Sequence, residues 1–498
     1  MDSRRPRVIA GREEPREVKD ARDGVLASGR RRSQYATRDL TEGSIPRNLI
    51  FLAWPQMIAG FMRTADQLAD LFWAGLIDFR AVGGIGVAQT WSNFFNTGRT
   101  GLDTASRAMI SRAIGAGDIS RANHLAMQSI MVNSVLGLVW IFIAVIFAEA
   151  LFRVLGASTE LTEQALWYMR FRFIGSFPFM LTLVTSSTLS AAGDTLTPAR
   201  AQVLNRALNI ALMPFFVLGL LGLPEMGLAG TGFAFMLAQI PGAFLNLKAL
   251  FGGKSRLHLS LNDCRLDGRA IWNLVKLGAP ASITSMERSL AQLLVVGIVA
   301  PFGDLALAAF SLTQRLNNMV NLGQAGLGQA TGIIVGQSLG AGKPYRASET
   351  IRWAVLLTLA LSLVLSALMI ALPEAFLLVF TRDEELVSMG TSWLRIMAIG
   401  FLVGGLSTVL VQAFNTAGDV FIPMIVTLAT IWLVQQPAAL ILSGQDWHFL
   451  GVNLHAGGLV SLESYGIAWA IVLAQGVRLL IYIPYWLSGR WMTRSVPI

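Results

Sequence analysis

Two short stretches of the sequence decide how the whole chain is interpreted. SRAIGAGDISRAN occupies residues 111–123, and a close echo, GQSLGAGKPYRAS, occupies residues 336–348. Such a glycine-rich loop could hold a phosphate, or it could be a turn in a duplicated chain. A phosphate-binding P-loop requires GxxxxGK[ST], but Pro344 follows the lysine of the second copy and Asp118 replaces that lysine in the first. Both stretches are therefore predicted to be turns. The glycines expected to end helices and adopt positive φ are Gly115, Gly117, Gly340 and Gly342.

The same shift of 225 positions aligns much of the chain with itself. Pro55 meets Pro280 and Arg63 meets Arg288, and AAGDTLTP from residue 191 meets TAGDVFIP from residue 416. Further on the offset grows to 239, because GLAGTGFA from residue 227 meets GIAWAIVL from residue 466. The chain is therefore predicted to be an internal duplication, with 14 extra residues (239 − 225) in an external loop of the second half.

The composition is that of a membrane protein. Of the 498 residues 54% are hydrophobic and only 14% are charged, against about 25% charged residues in ordinary soluble domains. We count twelve apolar segments between residues 46 and 488, most of them long enough to cross a bilayer as a helix. The single cysteine, Cys264, excludes an intrachain disulfide. The predicted fold is an all-α integral membrane protein with twelve transmembrane helices.

The positions of the basic residues predict the orientation of the chain. Loops after even-numbered segments carry most of the loop lysines and arginines, and loops after odd-numbered segments carry acids, so the even loops and both termini are expected in the cytoplasm. Two halves of six spans then share one orientation and are related by a pseudo-two-fold axis along the membrane normal, as in parallel-repeat transporters. The predicted boundaries are a disordered cytosolic tail (1–44), an N-lobe (45–251), a cytosolic linker (252–270), a C-lobe (271–490) and a cytosolic C-terminal tail (491–498).

Charged residues inside the first two spans are the strongest candidates for chemistry, because a charge in mid-membrane is costly and usually faces a cavity or a partner. Their spacing places each set on one helical face. The residues are Arg63, Asp66 and Asp70 in the first segment and Arg99, Asp103 and Arg107 in the second. They predict either a protonatable or cation-binding cluster or internal salt bridges that join the first two helices.

Amide side chains follow the same spacing at equivalent places in the two halves. One set is Gln89, Asn93 and Asn96, and the other is Gln314, Asn318 and Asn321. Amides donate and accept hydrogen bonds without a charge, so they suit a water-filled substrate path. They could equally join helices. The four histidines share no metal-ligand spacing and no catalytic cluster is visible, so neither a metal site nor an enzyme is expected.

Several motifs, taken in order, resemble the multidrug and toxic compound extrusion (MATE) family. They are WPQMIAGFMRTADQLADLFWAG (54–75), SRAIGAGD (111–118), SAAGDTLTPA (190–199) and LNIALMPFFVLGLLGLPEMGLAGTGFA (208–234). The resemblance covers residues 45–490, nearly everything but the N-terminal tail.

The resemblance also implies roles for individual residues. Asp70 matches the family's first-helix acid of the N-lobe ion site, and Asn209 matches a fifth-helix asparagine. Met213 stands where the family often has an aspartate, so Asp66 and Asp103 are candidates to replace it. In the second half, Glu287 lies close to a seventh-helix acid that one branch uses for sodium, and we expect it on the substrate path. That branch's tenth-helix acid has no match here.

The function that the resemblance implies is secondary active antiport. Organic cations, amphiphilic drugs or metabolites would leave in exchange for H⁺ or Na⁺, by rocker-switch alternating access of a V-shaped monomer in the cytoplasmic membrane. No organic cofactor and no nucleic-acid partner are expected. The alternative is a lipid-linked saccharide flippase of the same superfamily, which would need a strongly cationic cavity. A receptor without transport is a more remote possibility.

Overall fold

Twelve long helices account for almost all of the described chain. The computed structural model describes residues 38–77, 79–154, 159–253, 255–260, 265–444, 447–449, 452–454, 462–494 and 496. In the first half the helices are α1 (Ile45–Ile77), α2 (Phe79–Gly115), α3 (Ile119–Ile146), α4 (Thr159–Ala191), α5 (Leu196–Val217) and α6 (Leu228–Phe251). In the second half they are α7 (Gly268–Val299), α8 (Asp304–Gly340), α9 (Pro344–Ala371), α10 (Glu384–Ala417), α11 (Phe421–Ser443) and α12 (Ser464–Leu487).

Eight of the described helices are long and apolar enough to cross a membrane. The other four are α1, α2, α5 and α8. These four carry most of the charges and amides that the sequence singled out, because they face a polar interior rather than lipid alone. The all-helical membrane fold expected from the sequence is confirmed, with six helices in each half.

The remaining described elements are short. Two helices, Ala148–Val154 and Pro373–Leu377, follow α3 and α9 at equivalent places in the two halves. Inside α11 the turn Thr430–Gln435 is π-helical. An antiparallel hairpin pairs β1 (Trp447–Phe449) with β2 (Val452–Leu454). The hairpin lies in the segment predicted to be the 14-residue insertion.

Glycines allow the two halves to touch closely where α2 and α8 end. A Cβ added to Gly115 would lie 2.1 Å from the carbonyl oxygen of Gln337, and one added to Gly340 would lie 2.1 Å from that of Arg112. Each contact maps onto the other under the shift of 225 residues, so this crossing obeys the pseudo-two-fold symmetry.

The glycines of the opening motifs have two different roles. Gly117 and Gly342 have φ of 78° and 69°, which confirms the predicted turns. Positive φ was also expected at Gly115 and Gly340, and this is wrong. Those two glycines are helical and are needed for the close approach of the helices instead.

The charge difference between the two turns has a structural explanation. Asp118 accepts a hydrogen bond from the backbone N–H of Arg121 (2.8 Å) and caps the start of α3. Lys343 instead donates from Nζ to the carbonyl oxygen of Thr41 (3.3 Å). The second copy of the loop thus contacts the N-terminal segment through Lys343, whereas Asp118 of the first copy caps its own helix.

Both predicted tails are partly packed against the helices. Leu40 lies in the expected disordered region 1–44, yet it is 1% exposed, and Arg346 donates to the carbonyl oxygens of Leu40 (3.1 Å) and Glu42 (2.7 Å). Trp491, in the expected C-terminal tail, is fully buried against Phe414. The predicted disorder is therefore contradicted for residues 38–44, which apolar and hydrogen-bonded contacts hold. The start of the predicted C-terminal tail is packed as well, and its cytosolic location stays a prediction. Residues 1–37 lie outside the described chain.

Candidate functional site

The first half encloses a polar cavity of about 440 Å³. Its wall includes nine of the residues that the sequence singled out, namely Arg63, Asp66, Asp70, Gln89, Asn93, Asn96, Arg99, Asp103 and Arg107. The helices that bring these residues together are α1 and α2, with α4 and α5 opposite. From the second half, Gln329 of α8 and Gln412 of α10 also line the cavity, so it reaches the boundary between the lobes.

Asp66 is held by both of its carboxylate oxygens. Arg206 of α5 donates from Nη1 to Oδ2 (2.6 Å), and Asn209, one turn further along α5, donates from Nδ2 to Oδ1 (2.7 Å). All three side chains are buried. Arg206 and Asn209 thus hold both carboxylate oxygens of Asp66, while a role of Asp66 or Asn209 in ion coupling stays a prediction. Met213, which the resemblance places where an aspartate is common, is fully buried.

Asp70 is held by only one of its oxygens. Arg172 of α4 donates from Nη1 to Oδ2 (3.3 Å), whereas Oδ1 has no hydrogen-bond partner among the described residues. The residue is 2% exposed and lines the cavity. Asp70 is therefore a buried carboxylate with one oxygen free to bind a proton or a cation.

Asp103 is paired within its own helix. Arg99, four residues earlier on α2, donates from Nη1 to both carboxylate oxygens at 2.8 and 2.7 Å. Of the three acids, Asp66 pairs with α5, Asp70 with α4 and Asp103 with α2 itself. The salt-bridge hypothesis supposed pairs between α1 and α2, but none of these three pairs joins those helices. The acids of α1 are instead paired with arginines of α4 and α5.

Arg172 and Arg206 are the functional residues that sequence reasoning missed. Both lie inside predicted spans, and the rule that drew attention to Arg63 and Arg99 applies to them equally. Each is a lone charge on its helix face, with no charged residue three or four positions away, so neither belongs to a cluster that the sequence pattern reveals. Their guanidinium groups also lie over aromatic rings, Arg172 over Phe235 at 4.6 Å and Arg206 over Phe179 at 5.4 Å.

The second half has two smaller cavities of about 200 and 190 Å³. Gln314, Asn317 and Asn321 form a ladder along α8, with Nδ2 of Asn317 donating to Gln314 (3.3 Å) and Nδ2 of Asn321 to Asn317 (3.0 Å). Gln314 lines one of these cavities and Asn321 the other, while Asn317 lines both.

Two residues expected on the substrate path do not line the described cavities. Asn318 is exposed and does not line the described cavities. Both Asn317 and Asn318 are compatible with the face of Gln314 and Asn321 by helical spacing, and the hydrogen bonds select Asn317. Glu287 is buried, at 7% exposure, and lies outside the walls of the same cavities. Its place on the path stays a prediction.

Metal-ligand clusters are not a feature of the described chain. Among those residues no group of three or more His, Cys, Asp or Glu side chains could hold a metal ion. The cavity therefore offers paired charges, amides and aromatic rings as its binding chemistry.

Comparison with known proteins places the chain in a family. The family model MatE matches residues 55–215 and again 280–441, and the two matches start 225 residues apart, as the internal repeat predicts. The probable multidrug resistance protein YoeA of Bacillus subtilis is 26% identical over 82% of this chain and 89% of its own length. The FAD transporter of Shewanella oneidensis is 23% identical over 80% of this chain and 88% of its own length.

Solved structures agree on the fold. A crystal structure of MATE in complex with MaL6 superposes with a TM-score of 0.83 over 93% of this chain and 100% of that one, at 20% sequence identity. The resemblance found in the sequence is thus confirmed. Since the family model covers more than half of the chain, this protein belongs to the MatE family and is a membrane-embedded efflux transporter of small molecules.

Proposed function

We propose that the protein is a secondary active antiporter, which exports amphiphilic small molecules in exchange for H⁺ or Na⁺ by rocker-switch alternating access. The observation that carries this proposal is the asymmetry between the two acids of α1. Asp66 is hydrogen-bonded through both oxygens, whereas Asp70 keeps Oδ1 without a partner at the wall of the cavity. Asp70 is therefore the residue proposed to bind and release the coupling ion.

The pairing of Asp70 with Arg172 gives the ion a way to act on the protein. When Asp70 is charged, it attaches α1 to α4 through Arg172. A proton or Na⁺ on Asp70 competes with that ion pair and loosens the attachment. A ligand can shift a conformational equilibrium only by binding one state better than the other, and the Asp70–Arg172 pair is a contact whose strength the ion changes.

The packing at the ends of α2 and α8 supports movement of the lobes as units. Glycines bring the halves into close contact around Gly115 and Gly340, and Gly101 of α2 likewise meets Gly278 of α7. Such a contact can open without unfolding either lobe, as the rocker-switch mechanism requires. We propose that this end faces the cytoplasm, together with both termini, since the basic loops lie on the same side.

Other parts of the proposal follow from the family and the cavity. The protein would act as a monomer in the cytoplasmic membrane, with no organic cofactor beyond the coupling ion. The names of its relatives do not favour the lipid-linked saccharide flippase. Those names point to different substrates, so the substrate of this chain has to be argued from its own residues.

The test is transport in proteoliposomes, with ΔpH and ΔNa⁺ imposed separately. We expect the wild-type protein to move at least one of two dyes, the cation ethidium or the anion carboxyfluorescein, in response to at least one gradient. Asp70→Asn should still insert, because an amide can accept a hydrogen bond from Arg172, although Arg172 loses its counter-ion and some stability is lost. It should also lose gradient-driven efflux. Asp304→Asn, an exposed acid at the start of α8, is the matched control and should transport normally.

Two outcomes would contradict the proposal. Wild-type efflux by a well-inserted Asp70→Asn variant would remove Asp70 from the coupling site. Transport that responds to neither gradient would remove the antiport mechanism itself.

A further inference from the structure

We propose that the substrate carries a negative charge, which Arg63 and Arg107 bind at the wall of the N-lobe cavity, joined to an aromatic ring that packs on Phe95, Trp140 and Phe173. This inference rests on the proposed export function and names the substrate class for the same cavity. It departs from the organic cations that the sequence suggested.

The balance of charges is the first argument. The described residues that line the cavity include three carboxylates and five guanidinium groups. Each carboxylate is paired with one arginine, through Asp66–Arg206, Asp70–Arg172 and Asp103–Arg99. These pairs use three arginines and leave Arg63 and Arg107 without a carboxylate at ion-pair distance among the described residues, although the charge of Asp103 still attracts Arg107. With all eight groups ionised, the cavity carries two positive charges in excess.

The surroundings of the two remaining arginines are the second argument. Arg107 donates from Nη1 to Oε1 of Gln329 (3.3 Å), which is a neutral acceptor. Arg63 is open to the cavity and is repelled by the guanidinium groups of Arg99 and Arg206. Unpaired charges in a membrane interior are costly and usually mark a site that a ligand completes. An anion would satisfy both groups through charge-assisted hydrogen bonds.

A cationic substrate would find one open carboxylate oxygen in this cavity, Oδ1 of Asp70, which the coupling ion is proposed to occupy. All three acids are already engaged by arginine, and Asp66 and Asp103 are bonded through both oxygens. A positively charged substrate would therefore have to compete with the coupling ion or break one of these pairs, and approach the arginines at the same time. The cavity's charges therefore favour anions and reject cations.

Aromatic side chains supply the second half of the site. Phe95 stacks on Trp140 with ring centroids 4.3 Å apart, and Phe173 meets Phe95 edge to face at 5.6 Å. All three line the same cavity as the arginines. Its volume of about 440 Å³ is within the range of small-molecule sites. The site thus fits an aromatic carboxylate, sulfonate or phosphate.

This charge assignment has a consequence for coupling. A proton on Asp70 would free Arg172 and add a third unpaired cation, so a proton and an anion would strengthen each other's binding within one conformation. Exchange in opposite directions then requires that the ion and the substrate bind to different conformations of the lobes. Transport measurements can therefore separate the charge of the substrate from the direction of coupling.

The test uses two probes with the same ring and opposite charge, 2-naphthalenesulfonate and 2-naphthylmethylammonium. Binding is measured by equilibrium dialysis against the full chain in phosphatidylcholine nanodiscs, with empty nanodiscs as the blank. We expect the sulfonate to bind at least tenfold more tightly than the ammonium. Arg63→Gln and Arg107→Gln should each weaken sulfonate binding by about tenfold, since a hydrogen bond to a charged group contributes roughly that much.

Control variants separate charge from folding. Arg63→Lys and Arg107→Lys keep the charge and should retain the preference for the sulfonate. Arg315→Gln removes an exposed arginine of α8 that does not line the described cavities, and should bind both probes like the wild type. Adding phosphatidylglycerol to the nanodiscs distinguishes a soluble anion from a lipid headgroup, and we expect it to leave sulfonate binding unchanged.

Three results would overturn the proposal. These are ammonium binding equal to or tighter than sulfonate binding, an unchanged preference in both glutamine variants, and displacement of the sulfonate by phosphatidylglycerol. Gradient-driven export of ethidium without carboxyfluorescein would also refute the anion site while leaving the antiporter intact. Conversely, sulfonate binding without any gradient-driven transport would keep the anion site and refute the proposed function.

Discussion

Asp66 is predicted to be essential for stability, in contrast to the coupling role proposed for Asp70. Asp66→Asn removes the charge that pairs with Arg206 and leaves that guanidinium buried without a counter-ion. The side chains of the pair are only 3% and 9% exposed, so water compensates little for the loss. Removing one partner of a buried pair costs about 3–5 kcal/mol, and an uncompensated arginine in mid-membrane costs about 2.5–3.5 kcal/mol. Both estimates suggest a loss of about 3 kcal/mol.

The assay is thermal unfolding of the detergent-solubilised protein, followed by tryptophan fluorescence. Since 1 kcal/mol shifts the melting midpoint of a domain of 150–250 residues by about 2–4 °C, the midpoint of Asp66→Asn should fall by about 6–12 °C. The double variant Asp66→Asn/Arg206→Gln should recover part of this loss, because it no longer buries an unpaired charge. A midpoint within about 1 °C of wild type for the single variant, or a double variant less stable than the single one, would refute the reasoning.

Two further predictions concern the crossing of the lobes and the loop that joins them. Gly115→Leu should reduce gradient-driven efflux at least tenfold with normal membrane insertion, because even a Cβ there would lie 2.1 Å from the Gln337 carbonyl oxygen. The control Gly86→Leu should be active, since a Cβ at Gly86 has no atom within 4 Å. Normal efflux by Gly115→Leu would show that the close crossing is dispensable. At the start of α7, backbone N–H groups and the ring of His124 donate to Asp267 and hold the pKa of its carboxyl below the ordinary 3.8. The folded form therefore binds a proton at Asp267 less readily than the unfolded form does. The stability that this difference contributes to the fold is fully present at pH values above 3.8 and is lost as the pH falls through the pKa of the folded form. Asp267→Asn should thus melt below wild type at neutral pH and match it at low pH, and a pH-independent difference would contradict this.

Much of the fold could be predicted from the sequence, because its signals are local or repeat along the chain. Hydropathy marks the spans, and one constant shift of 225 residues relates the two halves. Helical spacing alone placed Gln89, Asn93 and Asn96 on one face, and the structure brings all three to the same cavity. The family resemblance rested on the same ordered motifs, and the comparisons confirmed it.

The limits of the sequence lie where contacts depend on how helices pack. Spacing along α8 allowed either Asn317 or Asn318 to face Gln314, and only the packed structure selects Asn317. The glycine at 115 could have ended a helix by adopting positive φ, and its actual role depends on the distance to another helix.

The pairing of the intramembrane charges shows most clearly what the sequence determines and what only the tertiary structure decides. The sequence by itself determined that three acids and several arginines lie within the spans of the first half, because counting and periodicity require no knowledge of neighbours. Which arginine meets which acid was decided only by the tertiary structure, since Arg172 and Arg206 are about 100 and 140 positions from Asp70 and Asp66 along the chain. Those pairings leave Arg63 and Arg107 unpaired, and so decide the charge that the cavity presents to a substrate.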